Sequence, residues 1–248
     1  MKPLCIRILS ALLPLLLVPA CGEDPEPPLP DAGIGDYEAY FNLQKGRCFE
    51  YTLGDTKQVQ PALGVAVEEI KETSFSPQTY VVVYRTASRA MEDWISIEGN
   101  AVKLHKRYLL GEVKEFIYRP ALTLLEAPIK AGAKIESTAR TTVFEAGALV
   151  SDADHSLRVD VFEPGVERLP FGTDVTSFAV NFDETPDPGR AEVRNFVPGS
   201  GDRAAPEGWV KISFNFSPDP SASALVYKLQ GIRELSGEPG SAWCGSAP

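Results

Sequence analysis

From residue 37 onward, apolar and polar residues alternate with a period of two, and no stretch sustains a helical period. The clearest case is 210–216, where Val210, Ile212, Phe214 and Phe216 share one side and Lys211, Ser213 and Asn215 the other. Such a strand buries one face and wets the other. Tyr80 to Tyr84 is apolar on both sides, as a central strand would be. The pattern predicts strands over 47–53, 65–73, 79–86, 93–97, 101–109, 112–118, 135–144, 157–162, 176–182, 191–197, 210–216 and 224–231. Glu98-Gly99-Asn100 reads as a hairpin turn. The segment 120–125 reads as a helical turn or a loop capping an open sheet end. The segments 183–190 and 198–208 read as polar loops. The expected fold is all-β: an antiparallel meander forming a half-barrel or sandwich of about twelve strands. Its two halves meet near Glu145-Ala146-Gly147 but form one domain, 37–248.

The first residues follow a different pattern. Lys2 and Arg7 precede an apolar run from Ile8 to Val18, broken by Ser10 and Pro14. That run has the length of a secretory core and is too short for a membrane span of roughly 20 residues. Val18-Pro19-Ala20-Cys21 follows and resembles the lipobox of bacterial lipoproteins, from which Pro19 departs, since Ala, Ser or Thr is usual there. The resemblance implies that 1–20 is a lipoprotein signal peptide and that Cys21 carries the lipid. Ordinary cleavage after Ala20 is the alternative, because Val18-x-Ala20 also passes as a small-residue site. Gly22, being other than Asp, points by resemblance to the outer rather than the inner membrane. Each buried methylene contributes about 0.8 kcal/mol, so two or three acyl chains anchor stably where one is marginal. The stretch 22–36, with four prolines, several acids and little to bury, reads as an extended tether. At about 3.1 Å per residue it reaches roughly 45 Å from the bilayer.

Charge and cysteines narrow the partners. The chain of 248 residues has a net charge of −10, and loss of Lys2 and Arg7 takes it to −12. An acidic surface argues against nucleic acid and against electrostatic attraction to anionic headgroups. The expected membrane link is therefore the lipid alone. Of four cysteines, Cys5 leaves with the signal and Cys21 is lipidated. Cys48 and Cys244 remain and, in an oxidising compartment, read as a disulfide. Two thiols so far apart form no local zinc pair.

Two further motifs carry a resemblance. Tyr40-Phe41-x-Leu43-x-x-Gly46-x-Cys48-Phe49-x-Tyr51 resembles an opening shared by many secreted β-rich bacterial proteins. Asn195-Phe196-Val197-Pro198-Gly199-Ser200-Gly201, leading to Trp209-Val210-Lys211, resembles their proline-glycine turn before a closing strand. Together they resemble uncharacterised lipoproteins of myxobacteria, a family that implies no activity. Some exported proteins with similar meanders form half-barrels whose concave face holds lipid, an analogy at the level of fold alone.

Candidate chemistry is sparse. His105 alternates with Lys103 and Arg107, so all three are expected on one wet face, as a basic stripe or an anion site. His155, in Asp152-Ala153-Asp154-His155, is expected in an exposed turn, with a divalent-ion site as the sharper alternative. Asp183, Glu184 and Asp187 lack calcium-loop spacing. Gly199-Ser200-Gly201 lacks the nucleophile-elbow spacing. Asn215-Phe216-Ser217 matches a glycosylation sequon only formally. Trp94 and Trp209 are expected to pack in strands, with a sugar platform as the alternative. No catalytic residue, metal ligand or cofactor is assigned. The expectation is a lipid-anchored envelope protein with a non-enzymatic binding or scaffolding domain. An apolar-ligand carrier would need a deep cavity, and a hydrolase would need His105 or His155 beside a carboxylate and a serine.

Overall fold

A computed structural model describes residues 45–55, 62–87, 90–126, 129–185, 192–197, 208–214 and 224–234. Cys21, the tether, Cys244 and Trp243 lie outside the described residues. So do Asp187 and the segments 198–207 and 215–217.

Twelve strands run in chain order: β1 (Arg47–Leu53), β2 (Leu63–Lys71), β3 (Thr79–Arg85), β4 (Ala90–Glu98), β5 (Ala101–Leu109) and β6 (Lys114–Glu126), then β7 (Lys134–Glu145), β8 (Ala148–Arg168), β9 (Asp174–Thr185), β10 (Glu192–Val197), β11 (Gly208–Phe214) and β12 (Leu225–Glu234). Each pairs antiparallel with its neighbours in sequence, and β1 pairs with β12, from Arg47 opposite Glu234 to Leu53 opposite Tyr227. The sheet is thus a closed barrel, where the alternation suggested a half-barrel or sandwich. Period-two patterning gives the same inward row in all three cases. Only the β1–β12 pairing distinguishes them, and it joins residues about 180 apart.

Closure needs curvature, and β-bulges supply it. Register shifts interrupt β1 at Glu50/Tyr51, β2 at Val67/Glu69, β4 at Trp94/Ile95, β8 at Val161/Pro164 and β10 at Asn195/Phe196. At Ala146-Gly147 both residues have positive φ, 48° and 83°, the geometry that matches strand twist in a two-residue hairpin. That turn joins β7 to β8 within one barrel, so no division falls there. The segment 120–125 belongs to β6 and is neither helix nor loop. The polar stretch from 183 begins inside β9, which continues to Thr185.

Large side chains of the described residues pack into the lumen. Trp209, Tyr51, Tyr118, Phe196, Leu63, Ile95, Leu104 and Leu122 are the largest fully buried ones. Phe196 stacks on Phe178 at 5.5 Å and meets the edge of Trp209 at 5.4 Å. Strands that are not sheet neighbours touch through this interior. The Tyr51 hydroxyl on β1 donates to the Trp209 carbonyl on β11 at 2.8 Å, reaching past β12.

Outside, the end of the β8–β9 hairpin folds over the barrel wall. Ile212 pairs with Arg194, which points into the lumen, so Lys211 beside it points out. Glu167 of the hairpin reaches Lys211 at 2.9 Å and Lys228 at 2.6 Å. Lys228 also holds Asp55 at 2.5 Å.

Tyr51 separates packing from hydrogen bonding. Tyr51→Phe keeps the ring and should cost about 1 kcal/mol in urea melts. Tyr51→Ala should cost about 3–5 kcal/mol, because it also opens a cavity. Equal losses for the two variants would show that the hydroxyl, not the ring, holds β1 to the far wall.

Candidate functional site

Charged and hydroxyl-bearing residues sit where the alternation demands apolar ones. On β4 the inward row is Met91, Asp93, Ile95; on β9 it is Phe178, Val180, Phe182, Glu184; on β10 it is Glu192, Arg194, Phe196. Arg107 from β5, His155 from β8, Tyr84 from β3 and Tyr118 from β6 complete the cluster. Seven strands therefore meet at one buried polar centre.

Arg194 is its hub. Its Nε donates to Glu192 at 2.5 Å and its Nη1 to the Tyr84 hydroxyl at 2.8 Å. Its guanidinium lies 5.1, 5.5 and 5.2 Å from the ring centres of Tyr84, Phe182 and Trp209. A planar cation with weak hydration suits an aromatic cage. Arg107 makes a two-pronged bond to Asp93, at 2.7 and 2.9 Å. It lies 3.9 Å from Glu184 and 4.0 Å from Glu192. Glu184 accepts from the Tyr118 hydroxyl and from His155 Nδ1, each at 3.1 Å.

Burial alone would strip charge from these groups, and the neighbours decide which keep it. Burial works against the charge of Arg194, but Glu192 and Tyr84 outweigh it and its pKa rises further. Burial likewise opposes the charge of Arg107, yet Asp93 holds its pKa well above the usual value. Burial, assisted by Glu184, pushes the Tyr118 phenol well up, and burial also raises that of Tyr84 despite Arg194. Both phenols stay neutral: Tyr118 donates to Glu184, and Tyr84 accepts from Arg194. Three carboxylates thus face two guanidiniums, with His155 bonded to the carboxylate farthest from a close arginine contact.

Leu104, Arg107, Leu124, Leu157, Phe182, Glu184, Glu192 and Arg194 enclose a cavity of about 20 Å³. That is room for a water molecule.

Both histidines lie elsewhere than expected. Each is only 6% exposed. His155 sits within β8 opposite Ala139, in line with Leu157, Val159 and Val161. Asp152 and Asp154 point the other way, onto Arg140 at 3.0 and 3.3 Å. The three therefore do not converge on one ion. Glu184, expected in a loop, points into the lumen, and its neighbour Asp183 is exposed.

The basic stripe Lys103, His105, Arg107 is split by a bulge. Lys103 pairs with Ser96, Leu104 with Ile95, Lys106 with Trp94 and Arg107 with Asp93, so His105 is the extra residue. Beyond it the faces exchange, and Arg107 turns inward. His105 stays on the outer side but is covered by Phe75, stacked at 5.2 Å. Its Nε2 lies 2.7 Å from Ser96 Oγ and 3.3 Å from Glu98 Oε1. Serine, histidine and carboxylate are thus together, but not as a relay. Ser96 Oγ also reaches Glu98 at 2.8 Å, so the serine and the carboxylate stand at the same ring nitrogen, Nε2. A nucleophile's base would need Nε2 free to accept, with the carboxylate on Nδ1.

Trp94 lies in β4 and Trp209 in β11, both in strands as expected. Lys71 and Lys106 each stand 4.3 Å from the Trp94 ring centre, occupying it as a cation–π platform.

No family, curated protein or solved structure matches this chain.

Two outcomes follow from the cluster and from His105. Arg194→Met keeps length but removes the charge between Glu192 and Asp93. The loss should be about 3–5 kcal/mol of unfolding free energy. A near-neutral result would mean that the guanidinium is not what holds the two carboxylates in place. Burial lowers the His105 pKa from 6.5, against the pull of Glu98. The unfolded chain therefore binds the proton more readily, and stability falls as pH drops below about 6.5. Denaturant melts at pH 7 and pH 5 should show a smaller loss for His105→Gln than for the parent. An identical loss would assign the acid sensitivity to other groups.

Proposed function

We propose that this protein is a lipid-anchored envelope protein whose barrel is a non-enzymatic binding or scaffolding module that works from its outer surface. The packed polar centre of the lumen is the observation that supports this reading. Ligand pockets for small molecules span roughly 300–1,000 Å³, against about 20 Å³ at the lumenal polar centre. Side chains from opposite walls bond across the space a lipid would occupy, as Arg194 does to Tyr84. The carrier reading loses its support there, and the hydrolase reading loses it at Nε2 of His105.

The membrane link rests on Cys21 and its acyl chains, in an outer-membrane location. The barrel's outward residues speak against strands as the link. Arg140, Asp152, Asp154 and Arg158 stand exposed or part-exposed on that face, and Arg158 pairs with Asp160 at 2.8 Å. A charge facing lipid costs up to about 2–4 kcal/mol at mid-bilayer, and spanning barrels turn an apolar band outward instead.

Two adjacent turns offer a contact surface. The Ala146 amide donates to the Val113 carbonyl at 2.9 Å, and Val113, Leu149 and Val150 are exposed beside it. Val113 holds φ at 50°, a strained state for a β-branched residue. Clustered exposed apolar groups are a common feature of protein contact sites.

The proposal includes a disulfide between Cys48 and Cys244. In support, Cys48 carries no titrating thiol. A loop of about 196 residues corresponds to roughly 5 kcal/mol in the chain-entropy account.

Membrane fractionation tests the anchor. Cys21→Ser should leave an uncleaved or soluble form, with the parent in the membrane fraction. Equal membrane retention of both would overturn the lipid anchor. Titration with a fluorescent fatty acid should show no saturable uptake; stoichiometric uptake would restore the carrier reading.

A further inference from the structure

By its direct hydrogen bonds, the buried polar centre is three separate groups of side chains. Arg194 bonds Glu192 and Tyr84. Arg107 bonds Asp93. Glu184 bonds Tyr118 and His155. The ion pairs that run between the groups are too long for hydrogen bonds. Arg107 Nη1 stands 3.9 Å from Glu184 Oε2, and Arg107 Nη2 stands 4.0 Å from Glu192 Oε2. Arg194 Nη2 stands 4.0 Å from Asp93 Oδ2. Polar contacts at such distances are where a bridging water belongs.

The bonding leaves one polar atom over on each of four residues. Both bonds to Glu184 end on Oε1, and the bond to Glu192 also ends on Oε1. Among the described residues, neither Oε2 accepts a hydrogen bond. Arg107 spends Nε and Nη2 on Asp93, which leaves Nη1. Arg194 spends Nε on Glu192 and Nη1 on Tyr84, which leaves Nη2. Two acceptors and two donors therefore remain. The four residues that carry them are the polar wall of the cavity of about 20 Å³, and the rest of its lining is leucine and phenylalanine.

Size and charge decide what fits. A single water needs a cavity of roughly 10–15 Å³ and two to four polar partners, and this cavity meets both conditions. Its wall sets two carboxylates against two guanidiniums, so neither an anion nor a cation meets a net opposite charge. A water molecule accepts from two donors and donates to two acceptors, which matches the atoms left over.

We propose that one water molecule is bound in this cavity, accepting from Arg107 Nη1 and Arg194 Nη2 and donating to Glu184 Oε2 and Glu192 Oε2. It joins the three groups into one network. Among the described residues, Arg107 of β5 otherwise bonds only Asp93 on the adjacent strand β4. Through the water, β5 is bonded to β9 and β10 on the opposite wall. The water thus serves as a cross-brace of the barrel, and the site is independent of the lipid anchor and of the outer surface.

Diffraction from crystals of the protein tests the site. The expected result is a water peak within about 2.7–3.2 Å of at least three of the four atoms. Crystals soaked in bromide or in rubidium should show no anomalous signal there. An anomalous peak from either soak would make the cavity an ion site and overturn the proposal. A cavity without any peak would overturn it as well, whether the guanidiniums close onto the carboxylates or stay apart. In solution, oxygen-17 relaxation dispersion should count at least one water held for longer than the protein takes to tumble. A count of none would overturn the proposal without recourse to crystals.

Discussion

A closed sheet has one inside, and twelve inward rows must fill it together. Eight strands leave a space that side chains just fill, and twelve leave more. This chain closes the difference with aromatic rings and one caged cation. Arg194 bonds Tyr84 across the lumen and packs against three rings from β3, β9 and β11. Its charge has to be met inside, which calls for Glu192 and Asp93. Asp93 in turn brings in Arg107, and Arg107 approaches Glu184. Much of the lumenal polar chemistry follows from placing that one guanidinium.

Such a network is weak evidence of stability. A well-packed apolar replacement of a buried ion cluster is often neutral or favourable, whereas removing one member is severe. Its stronger use is to fix register. Slipping any one strand by one residue would expose its inward row and strand a buried charge. Arg107 shows the dependence directly: it reaches Asp93 only because the bulge at His105 exchanges the faces of β5.

The same bulge marks the limit of what patterning could reveal. Strand positions were legible nearly throughout, because one buried face imposes period two. The inward histidine was legible too, since Ala153, His155, Leu157, Val159 and Val161 share one parity. The two aspartates beside it instead suggested a turn. Arg194 and Glu192 lay between apolar inward residues and could have been marked as buried charges by position alone. Arg107 could not, because a bulge leaves no trace in composition. Closure was likewise hidden, as it depends on the pairing of β1 with β12, and no local signal encodes a contact between the first and last strands. His105 was misplaced for a third reason: its cover, Phe75, comes from the connection between β2 and β3, and the alternation of a single strand cannot register what another segment lays over it.

The polar centre also limits what can change in the interior. In barrels that carry ligands, the interior is the variable part and the wall is scaffold. Here the interior is committed to holding the wall together, through bonds that no cargo could displace without stranding two arginines. The turns around Val113 and Ala146 and the hairpin fastened by Glu167 lie outside that network. These are elements whose residues can change without disturbing the lumenal charges.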